Sequence, residues 1–438
     1  MKIQALVMVS AMGFALSGCP INGGAKYTVG GTVTGLSGTG LVLQINGSHD
    51  LTFGANGSFV FGDRLANNAA YSVTVKTQPS NPSQTCTVRN GSGAIDKAGI
   101  TNVNVSCTQT GRFAYVANRQ SNTVSAYAIE GGALLPIGGS PFAANGTTPT
   151  ALTVDPNGKF LYVVNSGSNS ISVFSINAAS GALAAVGFST ATAAAPDAVT
   201  VDPTDHYLYV ANLNSNNVSA YAIDNGVLTQ VVGSPFNVGA GPASLAIDPN
   251  GNFLYVTNFS GNTVTVFLID LGNGMLSNIS GSPFAAGAGP VSIAIDPTEA
   301  FAFVADEAAN SLSAYSLTAS TGALTAVSGS PFTSGTNAES LIVDPAGRYV
   351  FAANADAANQ VATYAITPSN GALTFVSAAA AGSLPISVAI DPSGQFVYAV
   401  NFNSNDVSAY TVGASGALTA IAGSPFATGA QPHGIAID

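Results

Sequence analysis

Four ionisable side chains could form a reactive group in this chain: His433, Asp197, Glu339 and Arg119. They stand out because the 438 residues include 10 Lys and Arg, 21 Asp and Glu and 3 His, so charged residues make up 7% of the chain. A histidine can act as a general base, a carboxylate can orient water, and a guanidinium can stabilise a developing negative charge. Together they could hydrolyse a cyclic ester, provided that the fold brings them to one surface.

A repeat of 46 to 48 residues determines where these side chains lie. Each copy has an apolar strand that ends in an anchor residue, in order Asn118, Asn165, Asn212, Asn258, Asp306, Asn354 and Asn401. An Asp-Pro pair comes before six of these strands, beginning at Asp155, Asp202, Asp248, Asp296, Asp344 and Asp391. A single unit cannot bury both of its faces, so seven copies predict a closed seven-bladed β-propeller over residues 109–438, in an all-β chain.

The copy around Asp248 shows the expected order of strands within a blade. An apolar inner strand leads to Asp248-Pro249-Asn250-Gly251, whose residue types are typical of a type I turn. A second strand over 253–258, a third over 264–267 and a fourth near 275–279 follow. We therefore predict four antiparallel strands in each blade.

The two ends of the repeat array complement each other. The array begins with a second strand that has no inner strand before it, and it ends with an inner strand over 434–437. We expect this last strand to complete the first blade, because ring closure removes two open sheet edges. We also expect the chain to be complete at Asp438.

Antiparallel strand order assigns the candidate residues to one face of the propeller. The inner strands start on the face where the loops after the anchors lie, and we call it the entry face. The residue after each entry proline, or its equivalent, is predicted to lie at the rim of the central tunnel: Thr150, Asp197, Ala243, Val291, Glu339, Ile386 and His433. Arg119 belongs to the blade that His433 completes. Asp197, Glu339 and His433 are thus candidate binding residues, the alternative being solvated side chains of a variable rim.

The aromatic-Val-Ala/Thr-Asn strands and Asp-Pro-x-Gly turns resemble the YVTN-repeat, lactonase-type seven-bladed propellers, which include 6-phosphogluconolactonase-like enzymes. The resemblance implies lactone hydrolysis, with His433, Glu339 and Arg119 as catalytic residues. It covers residues 111–438 and includes Pro432-His433, Ala338-Glu339 and Asn118-Arg119. One departure is that Ala355, rather than an Arg, follows the anchor of the repeat that carries Glu339.

The first residues predict export. Residues 1–18 have the short charged end and apolar core of a signal peptide. Leu16-Ser17-Gly18-Cys19 resembles a bacterial lipobox, which implies lipidation of Cys19 and a membrane anchor followed by a tether over 19–26. By the sorting rule of such lipoproteins, Pro20 in place of Asp favours the outer membrane. The alternative is an ordinary signal peptide with a chance cysteine.

Residues 27–108 contain short alternating strands between Gly, Asn and Ser, and predict a small Ig-like β-sandwich. Its two cysteines, Cys86 and Cys107, would then lie in an oxidising compartment and pair with each other. Two free buried thiols are the alternative. No site is predicted in this domain.

Composition limits the partners. A net charge of −11 and a pI near 4.4 argue against nucleic acid, which requires basic surfaces. We predict no metal or cofactor, and a monomer. The leading hypothesis is a lipid-anchored envelope protein whose propeller binds a protein or glycan on the entry face. A lactonase-type hydrolase is the alternative, and an envelope scaffold without a ligand is the third possibility.

Overall fold

The computed structural model describes residues 25–36, 40–79, 84–109 and 113–438, which form strands and turns. The chain divides into two compact units, Met1–Gln109 and Thr110–Asp438. Within the described ranges, the structure contains no helix with the length and hydrophobicity needed to cross a lipid bilayer. The signal peptide and Cys19 lie outside these ranges.

The first unit is a sandwich of two four-stranded sheets around one apolar core that includes Val29, Leu41 and Val105. Its strands are Lys26–Thr34, Leu41–Ile45, His49–Phe53, Gly57–Ala66, Ala70–Thr77, Gln84–Arg89, Ser92–Ala94 and Ile100–Gln109. The sheet orders are fourth-first-eighth-sixth and third-second-fifth-seventh. The first strand begins inside the segment assigned to the tether, because Lys26 pairs with Ala66.

A disulfide bond joins the last two long strands of this unit. Cys86 and Cys107 are directly opposite each other in an antiparallel pair, are both buried, and are separated by 21 residues in the sequence. In the chain-entropy model, closing a loop of this length stabilises a fold by about 3 kcal/mol.

The second unit consists of seven blades of four antiparallel strands, which we call inner, second, third and outer and give in the order of blades 1 to 7. The inner strands are Pro432–Ile437, Pro149–Val154, Pro196–Val201, Pro242–Ile247, Pro290–Ile295, Ala338–Val343 and Pro385–Ile390. The second strands are Phe113–Asn118, Phe160–Asn165, Tyr207–Asn212, Phe253–Asn258, Phe301–Asp306, Tyr349–Asn354 and Phe396–Asn401. The third strands are Thr123–Glu130, Ser170–Ile176, Asn217–Asp224, Thr263–Ile269, Ser311–Thr318, Gln360–Ile366 and Asp406–Val412. The outer strands are Ala133–Pro136, Leu183–Ala185, Val227–Gln230, Leu276–Asn278, Ala323–Ala326, Leu373–Ala380 and Leu418–Ala420.

The propeller closes as predicted. The last strand of the chain, Pro432–Ile437, pairs with Phe113–Asn118 and so completes blade 1. Each inner strand also contacts the inner strands of its two neighbouring blades, and this series runs back to its start. Each inner strand remains the edge of its own sheet, but this edge is short and is protected inside the closed ring.

Six of the seven blades contain a short fifth strand in addition to the four that were predicted. In six blades a two-residue strand follows the outer strand and pairs with the third strand: Phe142–Ala143, Thr190–Ala191, Phe236–Asn237, Phe284–Ala285, Phe332–Thr333 and Phe426–Ala427. Blade 6 instead has a single continuous outer strand of eight residues, Leu373–Ala380. This blade therefore differs from the other six on its outer side.

The repeated polar residues have structural roles. The anchor side chains are buried, and the amide of Asn118 donates to the Ser125 hydroxyl at 2.9 Å, a contact that ties the second strand to the third. Asp155 accepts hydrogen bonds from the backbone N–H groups of Lys159 and Phe160 at 2.6 and 2.7 Å. Burial raises the pKa of Asp155, and the two N–H groups oppose this shift. The anchor residues and the Asp residues of the Asp-Pro turns thus stabilise the blades, as the sequence indicates.

Candidate functional site

Every rim position predicted from the sequence coincides with an irregularity at the start of an inner strand. In blade 3, Pro196 pairs with Asn212 and Ala198 pairs with Ala211, so Asp197 is an extra residue in a β-bulge. The same shift in register recurs at the start of the inner strand in all seven blades. A bulge leaves its extra residue outside the regular pairing and redirects its side chain. The rim is therefore a ring of seven bulged residues.

A hydrogen-bond ring on the entry face holds these bulges in place. The residue before each inner strand has a positive φ, and its N–H donates to a turn Asn of the preceding blade at 2.7 to 2.9 Å. In blade 1, for example, Gln431 donates to Asn405 at 2.7 Å. Asparagine suits this turn because its side chain bonds locally and it tolerates a positive φ. The blades thus fix one another at the point where the candidate residues lie.

The residue after each anchor forms a second ring on the same face. Its backbone N–H donates to the carbonyl of the positive-φ residue, as Arg119 does to Gln431 at 2.8 Å and Glu307 to Gly289 at 2.8 Å. Arg119 is thereby held beside the start of the strand that carries His433. Glu307 was missed in the sequence analysis, although it follows the anchor Asp306 at the position equivalent to Arg119.

His433 is fixed in one orientation by its neighbour in blade 2. Its Nδ1 lies 3.0 Å from the backbone carbonyl oxygen of Thr150. A carbonyl can accept but not donate, so Nδ1 carries the proton and, in the neutral ring, Nε2 has a free lone pair. Burial lowers the pKa of His433, Arg119 lowers it further, and Asp197 opposes the shift. The ring is therefore held as a neutral base.

Asp197 interacts electrostatically with both His433 and Arg119. Burial raises the pKa of its carboxyl, while His433 and Arg119 act in the opposite direction. Among the residues that the structure describes, no ion pair of 4.0 Å or less includes any of these three side chains. Their charges therefore act on one another through space. The entry face brings His433 and Arg119 of blade 1 and Asp197 of blade 3 into one group.

Glu339 belongs to a different group. Burial raises its pKa to about 7, and the charge of Glu307 raises it as well. Burial also raises the pKa of Glu307. Asn337 donates to the Glu339 carboxylate at 3.2 Å. The predicted association of Glu339 with His433 and Arg119 is not seen in these interactions: its charged neighbour is Glu307 of blade 5.

The first group has the parts of a hydrolytic site. A neutral imidazole can take a proton from water, a nearby carboxylate can stabilise the imidazolium that forms, and a guanidinium can stabilise an oxyanion. In the second group, Glu339 is partly protonated near neutral pH, because its pKa is about 7. Within the described ranges, no cluster of three or more His, Cys, Asp or Glu residues is arranged to hold a metal ion.

The chain belongs to the lactonase family of seven-bladed β-propellers. The family model for "Lactonase, 7-bladed beta-propeller" matches residues 48–240 and 244–430. The first matched segment begins within the β-sandwich, so the match extends beyond the propeller. No curated protein is detectably similar to the chain in sequence.

Solved structures share the propeller fold at low sequence identity. A protein from Bacteroides uniformis, proposed to be a 6-phosphogluconolactonase, is 20% identical with a TM-score of 0.67, covering 75% of this chain and 100% of its own. A similar protein from Bacteroides fragilis is also 20% identical, with a TM-score of 0.66 and coverages of 74% and 97%. The periplasmic gluconolactonase of Pseudomonas aeruginosa is 20% identical, with a TM-score of 0.62 and coverages of 74% and 98%.

Proposed function

We propose that this protein is a lactonase-type hydrolase that acts on an uncharged lactone at the entry-face mouth of the propeller tunnel. The observation that carries the proposal is the hydrogen bond from His433 to the Thr150 carbonyl, which leaves Nε2 available as a base. Family membership supports this function over a purely binding role. A protein or glycan ligand on the entry face and the scaffold role remain predictions from the sequence.

The proposed reaction uses His433, Arg119 and Asp197. Nε2 of His433 takes a proton from a water molecule, whose oxygen attacks the lactone carbonyl carbon. Arg119 stabilises the oxyanion of the tetrahedral intermediate, and Asp197 stabilises the imidazolium. When the ring C–O bond breaks, the imidazolium returns its proton to the leaving oxygen, and the product is a hydroxy acid.

The charge of the rim favours an uncharged substrate. The entry face presents seven rim residues and seven residues that follow the anchors. Arg119 is the single cationic residue among these fourteen, which also include Asp197, Glu307 and Glu339. A phosphorylated lactone would place about two negative charges near these carboxyls, with one guanidinium to balance them. A neutral sugar lactone avoids this repulsion.

The test is hydrolysis of glucono-δ-lactone and of its 6-phosphate by the purified protein, after subtraction of the spontaneous rate. We expect faster hydrolysis of the neutral lactone, and a loss of about 100-fold or more in kcat for His433→Gln, the range typical of a lost general base. Arg119→Met should also lower kcat, because it removes a charge that acts on the oxyanion.

The matched control is His206→Gln, which replaces an exposed histidine in a turn on the opposite face. It should leave the rate unchanged. If His433→Gln and His206→Gln hydrolyse the lactone equally fast, or if neither substrate is turned over above the spontaneous rate, the proposed function is wrong.

We also propose that the protein is anchored in the outer membrane through lipidated Cys19, a residue outside the described ranges. The support is the lipobox-like segment 16–19. Labelling of cells with an alkyne-bearing palmitate should mark the protein, and Cys19→Ser should abolish the label. Label that persists in Cys19→Ser would contradict the anchor, whatever the activity of the propeller.

A further inference from the structure

A cavity of about 310 Å³ is lined by residues of blade 6 and by Thr333, Ser334 and Gly335 of the segment that connects blade 5 to blade 6. This volume is at the lower end of the range of small-molecule sites, about 300–1,000 Å³. The residues that line it include Ser334, Asn354, Asp356, Gln360, Tyr364 and Phe375. Asp197, His433 and Arg119 do not line the cavity, so it is separate from the proposed lactone site.

The anchor of blade 6 loses a partner at this cavity. In five other blades the anchor amide donates at 2.9 Å to a Ser or Thr hydroxyl of the third strand, namely Ser125, Ser172, Ser219, Thr265 and Ser408. In blade 5, Ser313 donates to Asp306 instead. The matching residue of blade 6 is Ala362, which pairs with Ala352 as Ser125 pairs with Val116.

Asn354 therefore has unused hydrogen-bonding capacity at the cavity wall. Its side chain is 3% exposed, and Ala362 offers its Nδ2 no hydroxyl. Its Oδ1 has no hydrogen-bond partner in the described part of the chain, which is equally true of Asn165, Asn212, Asn258 and Asn401. The absent hydroxyl opposite Nδ2 is therefore what distinguishes the anchor of blade 6. A buried amide without partners is costly, since its desolvation is not compensated. A ligand in the cavity with hydroxyl groups would supply the missing partners.

Tyr364 also differs from its equivalents. Four matching tyrosines, Tyr127, Tyr221, Tyr315 and Tyr410, donate to a backbone carbonyl of the preceding blade at 2.5 to 2.9 Å. Tyr364 instead lines the cavity, where burial raises its pKa and the Gly335 N–H opposes the shift. The structure contains no equivalent bond from Tyr364 to blade 5 among the described residues.

An exposed aromatic ring stands at the opening. Phe375 is 60% exposed and lies in the long outer strand Leu373–Ala380 that distinguishes blade 6. Its ring is held edge-to-face against Tyr364, with 5.8 Å between centroids. An exposed Phe in a fixed orientation offers a flat apolar surface at little entropic cost.

We propose that this cavity binds an uncharged saccharide unit, with Phe375 against its C–H face and Asn354 hydrogen-bonded to its hydroxyls. The polar lining mixes amides, hydroxyls and the carboxylate of Asp356, and contains no Lys or Arg. Such a wall matches a ligand with many donors and acceptors and no charge. The aromatic ring matches the apolar face that sugars also present. An anionic ligand would find no counter-ion here, because no Lys or Arg lines the cavity.

Titration calorimetry with glucose, galactose, mannose and N-acetylglucosamine tests the site in the whole protein. We expect at least one of them to bind with a stoichiometry of one. Phe375→Ala should raise Kd about tenfold, which corresponds to the loss of one aromatic contact. Ala362→Ser should raise Kd by a similar factor, because it restores the hydroxyl found in six other blades and occupies both the space and the amide of Asn354.

Two controls keep the result specific. Phe188→Ala removes a ring in blade 2 that is 99% exposed, and it should not change Kd. His433→Gln should also leave Kd unchanged, so that failure of this proposal and failure of the lactonase function are distinguishable. The proposal is overturned if none of the four sugars binds, if neither cavity variant weakens binding, or if His433→Gln abolishes it.

Discussion

The Nδ1–H of His433 donates a hydrogen bond to the backbone carbonyl of Thr150 at 3.0 Å. The hydroxyl of Thr150 in turn donates to the carbonyl of Pro196 at 3.1 Å, directly before Asp197. A neutral residue of blade 2 therefore connects the histidine of blade 1 to the carboxylate of blade 3. Thr150 has no reactive group of its own, yet it sets the tautomer of the proposed base.

The close approach of blades 1 and 2 depends on Gly434. A Cβ at this position would lie 2.8 Å from the Thr150 carbonyl oxygen and 3.1 Å from the Cα of Ala151. Gly434→Ala should therefore displace the partner of His433, lower the free energy of unfolding by about 1–3 kcal/mol, and reduce kcat. Urea denaturation and lactone hydrolysis measure the two effects. Gly138→Ala is the control, because nothing lies within 4 Å of its Cβ; equal stability of the two variants would contradict the prediction.

The pKa of His433 should respond to Asp197 in a defined direction. The negative charge of Asp197 favours the imidazolium and so opposes the lowering caused by burial and Arg119. Asp197→Asn should thus lower the pKa of His433 further, and the base form should persist to lower pH. NMR titration of the imidazole measures this, with the exposed Asp224→Asn as control. A pKa that stays constant or rises in Asp197→Asn would contradict the predicted effect of the Asp197 charge on His433.

Blade 5 carries an acid where the other blades carry an amide. Burial raises the pKa of Asp306 to about 6 from 3.8. The ionised carboxyl therefore destabilises the fold: this penalty is absent below pH 3.8, grows as pH rises towards 6, and is complete above pH 6. Asp306→Asn should raise the free energy of unfolding at pH 8 by up to about 3 kcal/mol, and the gain should decline between pH 6 and pH 4. Chemical denaturation at several pH values measures it.

The reciprocal substitution supplies the control for blade 5. Asn165→Asp places the same acid in blade 2, where the anchor is also buried and its amide donates to Ser172 at 2.9 Å. It should lower the stability at pH 8 by a similar amount. Two variants that change stability in the same direction would show that the anchor charge is not the cause.

The neighbouring carboxyls Glu307 and Glu339 should titrate together. Burial and the charge of Glu307 raise the pKa of Glu339 to about 7. Glu307→Gln removes the like charge but leaves the burial, so the pKa of Glu339 should fall while staying above 4.5. NMR of the labelled carboxyl carbon follows this titration. Glu299→Gln, on the opposite face, should not change it.

Some features of the structure follow from the sequence, and others do not. The anchors, the Asp-Pro turns and the pairing of the last strand with blade 1 follow from a repeat whose units must bury their faces against each other. Glu307 could have been found by the rule that identified Arg119, since both follow an anchor. The β-bulges could not, because a bulge depends on how two strands pair and leaves no mark in residue spacing.

The sequence by itself determined a seven-bladed ring and placed Asp197, Glu339, His433 and Arg119 on its entry face, because strand order fixes which ends meet. The tertiary structure decided how these residues are grouped: His433 with Arg119 and Asp197, and Glu339 with Glu307. Thr150 of blade 2 links blades 1 and 3, although it lies 283 residues from its partner His433 in the sequence. Burial and Coulomb interactions depend on such distances, and a repeat of constant length does not encode them.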